Sequence, residues 1–469
     1  MEFFKCSNCG KTFEKQYGRC FGCGKFGTLE PINAEFVDGD TKPVSGFGVK
    51  KKPANMGVRA GRPQKPSKPA KSISQLRANS VSRHKTGISE LDRVLGGGFV
   101  DGMAVLLGGA PGAGKSTLCL MIAESFAKAG KKVLYCSGEE SEGQIASRAQ
   151  RMKVDSDRIK VVSETSLEKI LGQIVTEKPE LFIVDSLQTV ASDAVDGVFG
   201  SVQQSKEAGF AIASYIKKHG IVGILVNQVN KEAELAGSNQ VLHFVDAGLI
   251  FESEKDSPLK ILRAVKNRFG STEEIGIFTH SETGLEQVTD PSGILSSMET
   301  DAVPGAAKTL LLDGIRVFPA EVQALCSITG AAQARRQVSG VDYSRAQMVT
   351  AVLDKFCRTE LWKYDVFAST VAGLKIRDSQ ADLALAAALL SSRKDVSIPT
   401  TVAFVGEIAL TGQIRASRLK AKLDAASRMG IKKVVVPKFA MSQLKQKPSG
   451  VQVVTISDVT QLFSILKEF

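Results

Sequence analysis

No uninterrupted apolar stretch in this chain is long enough to cross a bilayer. The opening residues MEFFKCSNCG carry no apolar h-region of a secretory signal. Both absences predict a cytoplasmic chain with no membrane partner. Acidic residues are in short supply: 49 stand against 61 Lys and Arg, a formal net charge of +12, with a pI near 9.2. The surplus favours a polyanionic partner, although charge alone does not choose between nucleic acid and membrane. Large apolar residues are scarce between Glu35 and Ser80, where KKKPANMGVRAGRPQKPSKPAKS is mostly Lys, Arg, Pro, Gly and Ser. Such a segment cannot bury enough surface to fold alone, so 31–80 is expected to be a flexible basic linker. It is either a solvated tether or a non-specific contact to nucleic-acid backbone. Over the whole chain, 43% hydrophobic and 23% charged residues are ample for real cores, and the 469-residue length suggests about three domains.

The eight cysteines fall into two groups. Cys119, Cys136, Cys326 and Cys357 are scattered, mostly in apolar contexts. Cys6, Cys9, Cys20 and Cys23 form C-x2-C-x10-C-x2-C, which in a cytosolic chain reads as a tetrahedral Zn²⁺ site rather than disulfides. Gly10 and Gly24 each follow a CxxC unit, as tight metal-binding turns require. About thirty residues cannot build a stable core, so the metal supplies the folding energy of a zinc finger over 1–30. Four thiolates close the coordination sphere, which makes the site structural rather than catalytic.

Chemistry enters at Gly108–Thr117, GGAPGAGKST. Gly109, Ala110, Pro111, Gly112, Ala113, Gly114, Lys115 and Ser116 complete a Walker A match, and Thr117 extends it. The apolar run Ala104–Leu107 precedes the motif, and Leu118, Met121, Ile122 and Phe126 follow at helical spacing. The glycines let the backbone wrap phosphates, and the N–H groups of the loop and helix start attract the anion. Lys115 is expected to reach the β/γ-phosphates of ATP, and Ser116 to hold Mg²⁺. Beyond it, Lys132–Cys136, Leu181–Asp185, Ile221–Val226, Ala247–Phe251 and Leu259–Val265 read as buried strands between helices. They predict an α/β domain over 81–290 with a parallel sheet covered on both faces. Ligands in such sheets sit at the carboxyl ends of strands, so the polar residues ending these runs are expected to converge on the P-loop. Asp185 ends its strand as a Walker B acid does and would hold Mg²⁺ directly or through water. Glu139 or Glu140, with Glu139 favoured, is the candidate to polarise attacking water, and Gln228 the candidate γ-phosphate sensor.

CxxC…CxxC, GAPGAGKST, YCSGEES, LFIVDS and then Lys266-Asn267-Arg268-Phe269-Gly270 resemble, in that order, the bacterial RadA/Sms family of the RecA superfamily. Phe13, Gly18, Cys20 and Cys23 match its zinc region, and KNRFG is its signature. The resemblance implies a RecA-like ATPase forming a hexameric ring on single-stranded DNA. It further implies work beside a RecA-type recombinase in recombination and repair, driving branch migration or unwinding of branched intermediates. It implies that Lys266 and Arg268 act across a subunit boundary, on the neighbour's nucleotide or on DNA. After the fourth strand the family usually has His and a Thr-Lys-Glu stretch, where this chain reads Gln228-Val229-Asn230-Lys231-Glu232. Asn230–Gln240, polar and poor in aromatics, resembles a DNA-facing loop that leans on phosphate contacts.

Residues 291–469 read as a further α/β unit. Lys375, Gly406-Glu407-Ile408, Thr411-Gly412 and Leu419–Leu423 are similar to the proteolytic domain of Lon, which uses a Ser–Lys dyad. Lys422 matches the dyad lysine. The nucleophile position falls on Gln380, Asp382 replaces a glycine, and Ser379 is displaced by about 100° on a helix. No peptidase activity is therefore expected. The unit would serve as a ring-forming scaffold, with Arg335, Arg336 and Arg345 as candidate DNA contacts. Two other readings are an ATP-dependent peptidase with a zinc recruitment domain and a KaiC-like nucleotide switch indifferent to DNA.

Overall fold

The computed structural model describes residues 3–9, 12–13, 19–20, 22–23, 25, 27–32, 72, 82–195, 198–228, 239–253, 257–295, 302–330, 333–444 and 450–468. Nearly all of the expected linker, Gly10, Gly18 and Gly24, and most of the loop at Asn230–Gln240 lie outside them. The chain divides into two units, Met1–Asn79 and Ser80–Phe469. In the first, β1 (Phe3–Cys6) pairs antiparallel with β2 (Thr12–Phe13) and with β3 (Leu29–Ile32). Its buried core consists of Cys6, Phe13, Cys20 and Leu29, far too few apolar groups to hold a fold without a staple.

The second unit opens with β4 (Arg83–His84), α1 (Ser89–Val94) and β5 (Phe99–Val100). Next come β6 (Ala104–Gly109), α2 (Lys115–Lys128), β7 (Val133–Ser137), α3 (Glu142–Arg151), β8 (Ile159–Ser163), α4 (Leu167–Glu177) and β9 (Leu181–Asp185). The domain continues through α5 (Val202–His219), β10 (Val222–Gln228), α6 (Asn239–Leu242), β11 (Ala247–Ser253), β12 (Leu259–Asn267), β13 (Ile275–Ser281) and β14 (Gly284–Gln287). The nine strands β6–β14 form one sheet in the order β14-β13-β12-β11-β6-β10-β9-β7-β8. All six residues of β6 are buried, because the sheet is covered on both faces. Val105 and Leu107 pack with Leu118, Ile122 and Phe126 of α2, whereas Ala104 and Leu106 pack with Ile170 of α4 and Ile212 and Ile216 of α5. Alternation along one strand thus feeds two cores.

The expectation of a parallel sheet holds from β11 to β8 and fails at β12. Leu259–Asn267 runs antiparallel to β11, and β13 and β14 continue that antiparallel edge. A run of apolar residues reports burial, not direction, and the short β11–β12 connection permits only an antiparallel return.

After α7 (Ser292–Leu295), the remaining strands include β15 (Ala306–Asp313), β16 (Arg316–Ile328), β17 (Arg336–Val338), β18 (Tyr364–Thr370) and β19 (Val402–Phe404). They are completed by β20 (Glu407–Ile408), β21 (Ile414–Arg415), β22 (Lys433–Pro437) and β23 (Gln452–Ile456). A seven-stranded sheet has the order β17-β18-β16-β15-β19-β22-β23, while β20 and β21 form a separate ladder. The stretch TVAFVGEIALTGQIR is therefore divided between two sheets. The helices are α8 (Tyr343–Cys357), α9 (Asp382–Lys394), α10 (Leu419–Ala426) and the short α11 (Lys438–Ser442) and α12 (Leu462–Leu466). Every residue of α9 from Asp382 to Ser391 is buried, as its Ala/Leu composition predicts. The core beneath α8 and α9 also takes in Leu259, Ile275 and Ile277 from the first sheet. Buried Glu90 pairs with Arg316 at 2.5 Å, and Arg263 of β12 makes a bidentate pair with Asp313 of β15. The second pair joins the two sheets, and the first ties α1 to β16. Among the described residues no helix is long and apolar enough to cross a membrane.

Candidate functional site

The P-loop leaves β6 at Gly109, where an added Cβ would stand 2.7 Å from the Phe251 carbonyl oxygen of β11. Only glycine permits that approach. Gly114 precedes α2 with φ of 107° and no capping side chain. The first N–H groups of α2 thus start without helical acceptors, at the positive end of the helix dipole. Lys115 is 8% exposed. Its ammonium donates to the carbonyl oxygens of Gly109 (2.7 Å) and Ala110 (2.9 Å). Burial pulls its pKa down, and the charges of Asp185 and Glu139 oppose that shift. Uncapped N–H donors, an enclosed cation and outward Pro111 and Gly112 fit a polyphosphate, whose oxygens replace the carbonyls as partners for Lys115.

The sheet register brings the other residues level with this loop. Gln228 is paired with Gly109 across β10 and β6, and Asp185 with Ser137 across β9 and β7. Gln228 Nε2 lies 3.1 and 3.2 Å from the two carboxylate oxygens of Glu139. The Ser186 hydroxyl also donates to Glu139. Tyr135, 1% exposed, donates its hydroxyl to Asp185 Oδ2 at 2.7 Å. Glu140 turns away: its carboxylate pairs with Arg148 of α3 at 2.6 Å, and its N–H donates to Ser137 Oγ at 2.9 Å. The two neighbouring acids therefore have different surroundings, one facing the strand ends and one fixed to a helix.

Lys266 and Arg268 do not join this group within one chain. The antiparallel β12 carries them to the opposite end of the sheet. Arg268 pairs with Asp246 at 3.2 Å, and Asp246 in turn accepts the N–H of Ala104 at 3.0 Å. That point lies five residues down β6 from Gly109, roughly 17 Å at about 3.3 Å per residue. Lys266 Nζ donates to the Leu242 carbonyl at 2.5 Å.

In the first unit the four cysteine sulfurs all lie within 4.8 Å of one another. Cys6 and Cys23 are 3.7 Å apart, and Cys9 and Cys20 3.6 Å. A tetrahedron of ~2.3 Å Zn–S bonds has edges of roughly 3.8 Å, so the sulfurs fit zinc. The Thr28 hydroxyl beside Cys6 is the main cause lowering that thiol to about 6, toward the thiolate that a metal requires. Cys6→Ser is expected to abolish zinc binding and unfold this unit while leaving nucleotide binding intact. Metal analysis of the purified variant, read against wild type, checks this; an unchanged zinc content would refute the site.

Residues 84–165 match the family model for the KaiC ATPases. Residues 348–469 match that of the Lon protease (S16) C-terminal proteolytic domain, and residues 4–31 that of the rubredoxin metal binding domain. The DNA repair protein RadA of Mycolicibacterium smegmatis is 38% identical over 470 residues, covering 99% of this chain and 97% of the relative. The chain belongs to the RadA family. Relatives of the same name from Pseudomonas aeruginosa (36% identical; 99% and 98% covered) and Streptococcus pyogenes serotype M1 (37%; 98% and 98%) are similar throughout. The fold is the expected one for RadA: a RecA-like P-loop core, an N-terminal four-cysteine ribbon and a Lon-like α/β domain. The ATPase match and the RadA relationship support ATP hydrolysis and imply a nucleotide with Mg²⁺.

In this RadA chain the Lon-like region holds an ion pair where a dyad would stand. Lys422 is fully buried and pairs with Asp378 at 2.7 Å. Burial lowers its pKa, and Asp378 opposes the shift. Gln380 is spent on Ser417, accepting its N–H at 3.1 Å and donating to its hydroxyl at 3.3 Å. Of the arginines expected to meet DNA, Arg345 pairs with buried Asp382, and Arg336 donates to the carbonyls of Tyr364 and Leu361. Both guanidinium groups are engaged in internal contacts, while Arg335 remains exposed. Tyr135 and Ser186, beside Asp185 and Glu139 at the candidate site, were not expected from the sequence. Ser186 directly follows the strand-ending acid, which is a usable signal. Tyr135 lies inside an apolar run and carries none.

Proposed function

We propose that this chain is a DNA-dependent ATPase of homologous recombination and repair that drives branch migration or unwinding on single-stranded DNA. The observation that carries the reading is the meeting of Glu139 and Gln228 beside an uncapped P-loop. Gln228 ends β10, and the polar Val229-Asn230-Lys231-Glu232 follows it directly in sequence. One side chain thus touches the candidate base and is tethered to the candidate DNA loop. In this reading Lys115 and the α2 N–H groups bind and orient the β- and γ-phosphates, and Ser116 and Asp185 hold Mg²⁺. Bound there, Mg²⁺ neutralises charge on the phosphate oxygens. Tyr135 fixes the Asp185 carboxylate. Glu139 orients and deprotonates the attacking water, and Gln228 releases Glu139 when it turns to the γ-phosphate.

Lys266 and Arg268 act, in this reading, on a neighbouring subunit's nucleotide within a hexameric ring, since their own P-loop is out of reach. A RecA-type recombinase is the expected partner on branched intermediates. Cleavage of peptides is not part of the function, because Gln380 carries no nucleophile and Lys422 is committed to Asp378.

ATP turnover with and without single-stranded DNA tests the reading. Stimulation is expected, with DNA affinity falling steeply between about 50 and 200 mM salt as counterions are released. Turnover indifferent to DNA would instead indicate a nucleotide switch, and a flat salt dependence would rule out phosphate-dominated binding.

A further inference from the structure

The turn between α8 and β18 is built with unusual rigidity around an exposed aromatic ring. Arg358 and Glu360 both adopt left-handed φ values, 50° and 54°. Neither is glycine, so this backbone persists only because its surroundings over-determine it. Asp354 accepts the Thr359 hydroxyl and the Leu361 N–H, each at 2.6 Å. Arg336 donates to the carbonyls of Leu361 (2.8 Å) and Tyr364 (2.5 Å). Arg393 donates to the Thr359 carbonyl at 3.2 Å, and the Thr329 N–H to the Lys363 carbonyl at 3.0 Å. The residue between these anchors, Trp362, is 63% exposed.

The surroundings of the ring suit one kind of occupant. Lys363 Nζ sits 4.9 Å from its centroid, Arg358 is exposed on the same turn, and Arg335 is exposed just before the strand paired beside it. The nearby acids are occupied: Glu360 is paired with Lys363 at 2.8 Å, and Asp365 accepts the Arg335 N–H at 2.7 Å. An exposed aromatic ring flanked by cations, on a backbone that is already ordered, is the arrangement that stacks an unpaired base while its phosphates are neutralised. Pre-ordering removes the entropic cost of fixing the platform on binding.

We propose that Trp362 is a stacking platform for a base of single-stranded nucleic acid, with Arg358 and Arg335 meeting the adjacent phosphates. The proposal rests on the reading of the chain as a DNA-dependent ATPase, and it assigns the Lon-like domain a base contact rather than only a scaffold role. Arg336, expected to touch DNA itself, becomes the positioning residue that holds the turn.

The chain contains a single tryptophan, so its emission reports this site alone. The full chain is titrated with oligothymidylate, and binding is followed in parallel by anisotropy of the labelled strand. Tryptophan emission is expected to be quenched along the same binding curve. Trp362→Ala is expected to weaken binding about tenfold or more, and Trp362→Phe to restore most of it. Both variants should keep wild-type ATP turnover in the absence of DNA. If the strand binds while emission stays constant, or if Trp362→Ala binds as well as wild type, the platform is overturned and the DNA-dependent reading stands. A duplex of the same length that quenches equally would also overturn it, since paired bases cannot stack on the ring. Failure of the strand to bind at all would overturn both.

Discussion

Lys115→Ala is expected to lower ATP turnover by at least about 100-fold, the scale seen when one preorganised charge donor is removed from a reaction centre. The ammonium is enclosed, and burial already disfavours its charged form. Its removal takes away phosphate charge without opening the apolar core, because the amine contacts only two loop carbonyls. Thermal unfolding of the unliganded variant should therefore match wild type. The ligand response should not. Wild type at a hundredfold excess of ATP over Kd gains about 2.7 kcal/mol by mass action, and the variant should lose most of that shift. Turnover and the ATP-induced shift in Tm check both halves. Turnover at the wild-type rate would remove the P-loop from the mechanism altogether.

Glu139→Gln and Glu140→Gln should separate two adjacent acids that the sequence leaves open. Glu139 faces Gln228 and Ser186 at the strand ends. The amide keeps its size and some of its hydrogen bonding but cannot take a proton. Turnover should fall by roughly 10²–10⁴, the usual range for loss of a general base, while nucleotide binding persists. Glu140 instead serves Arg148, half-buried on α3. Its replacement should cost stability on the order of 1 kcal/mol or less and change turnover only several-fold. Steady-state kinetics with equilibrium nucleotide binding decide the matter, and equal losses in the two variants would overturn the assignment.

The legible and illegible parts of this molecule divide along physical lines. The P-loop could be read because its chemistry is local: glycine, lysine and serine at fixed spacing between a buried strand and a helix. The four cysteines were legible for the same reason. The strand β6 announced its burial through the apolar run Ala104–Leu107. Strand direction at β12 was hidden, because periodicity is the same for either direction, although Lys266 and Arg268 were already expected to act away from their own P-loop. The choice between Glu139 and Glu140 was hidden too. It depends on Gln228 lying level with Gly109, a register set by sheet pairing. Arg336 and Arg345 looked like surface cations, and their internal acceptors, backbone carbonyls and Asp382, are remote in sequence. Trp362 drew no attention, since nothing around it in the sequence states that both flanks are pinned.

The Lys422–Asp378 pair has a consequence for how such a site can change over time. Asp378 cannot be lost alone at low cost: its removal strands the fully buried Lys422, at about 3–5 kcal/mol, a large share of a domain's whole stability. Replacing both together with apolar groups is the cheap route, but it needs two simultaneous changes. The carboxylate is thus held in place by a lysine that has no nucleophile to activate.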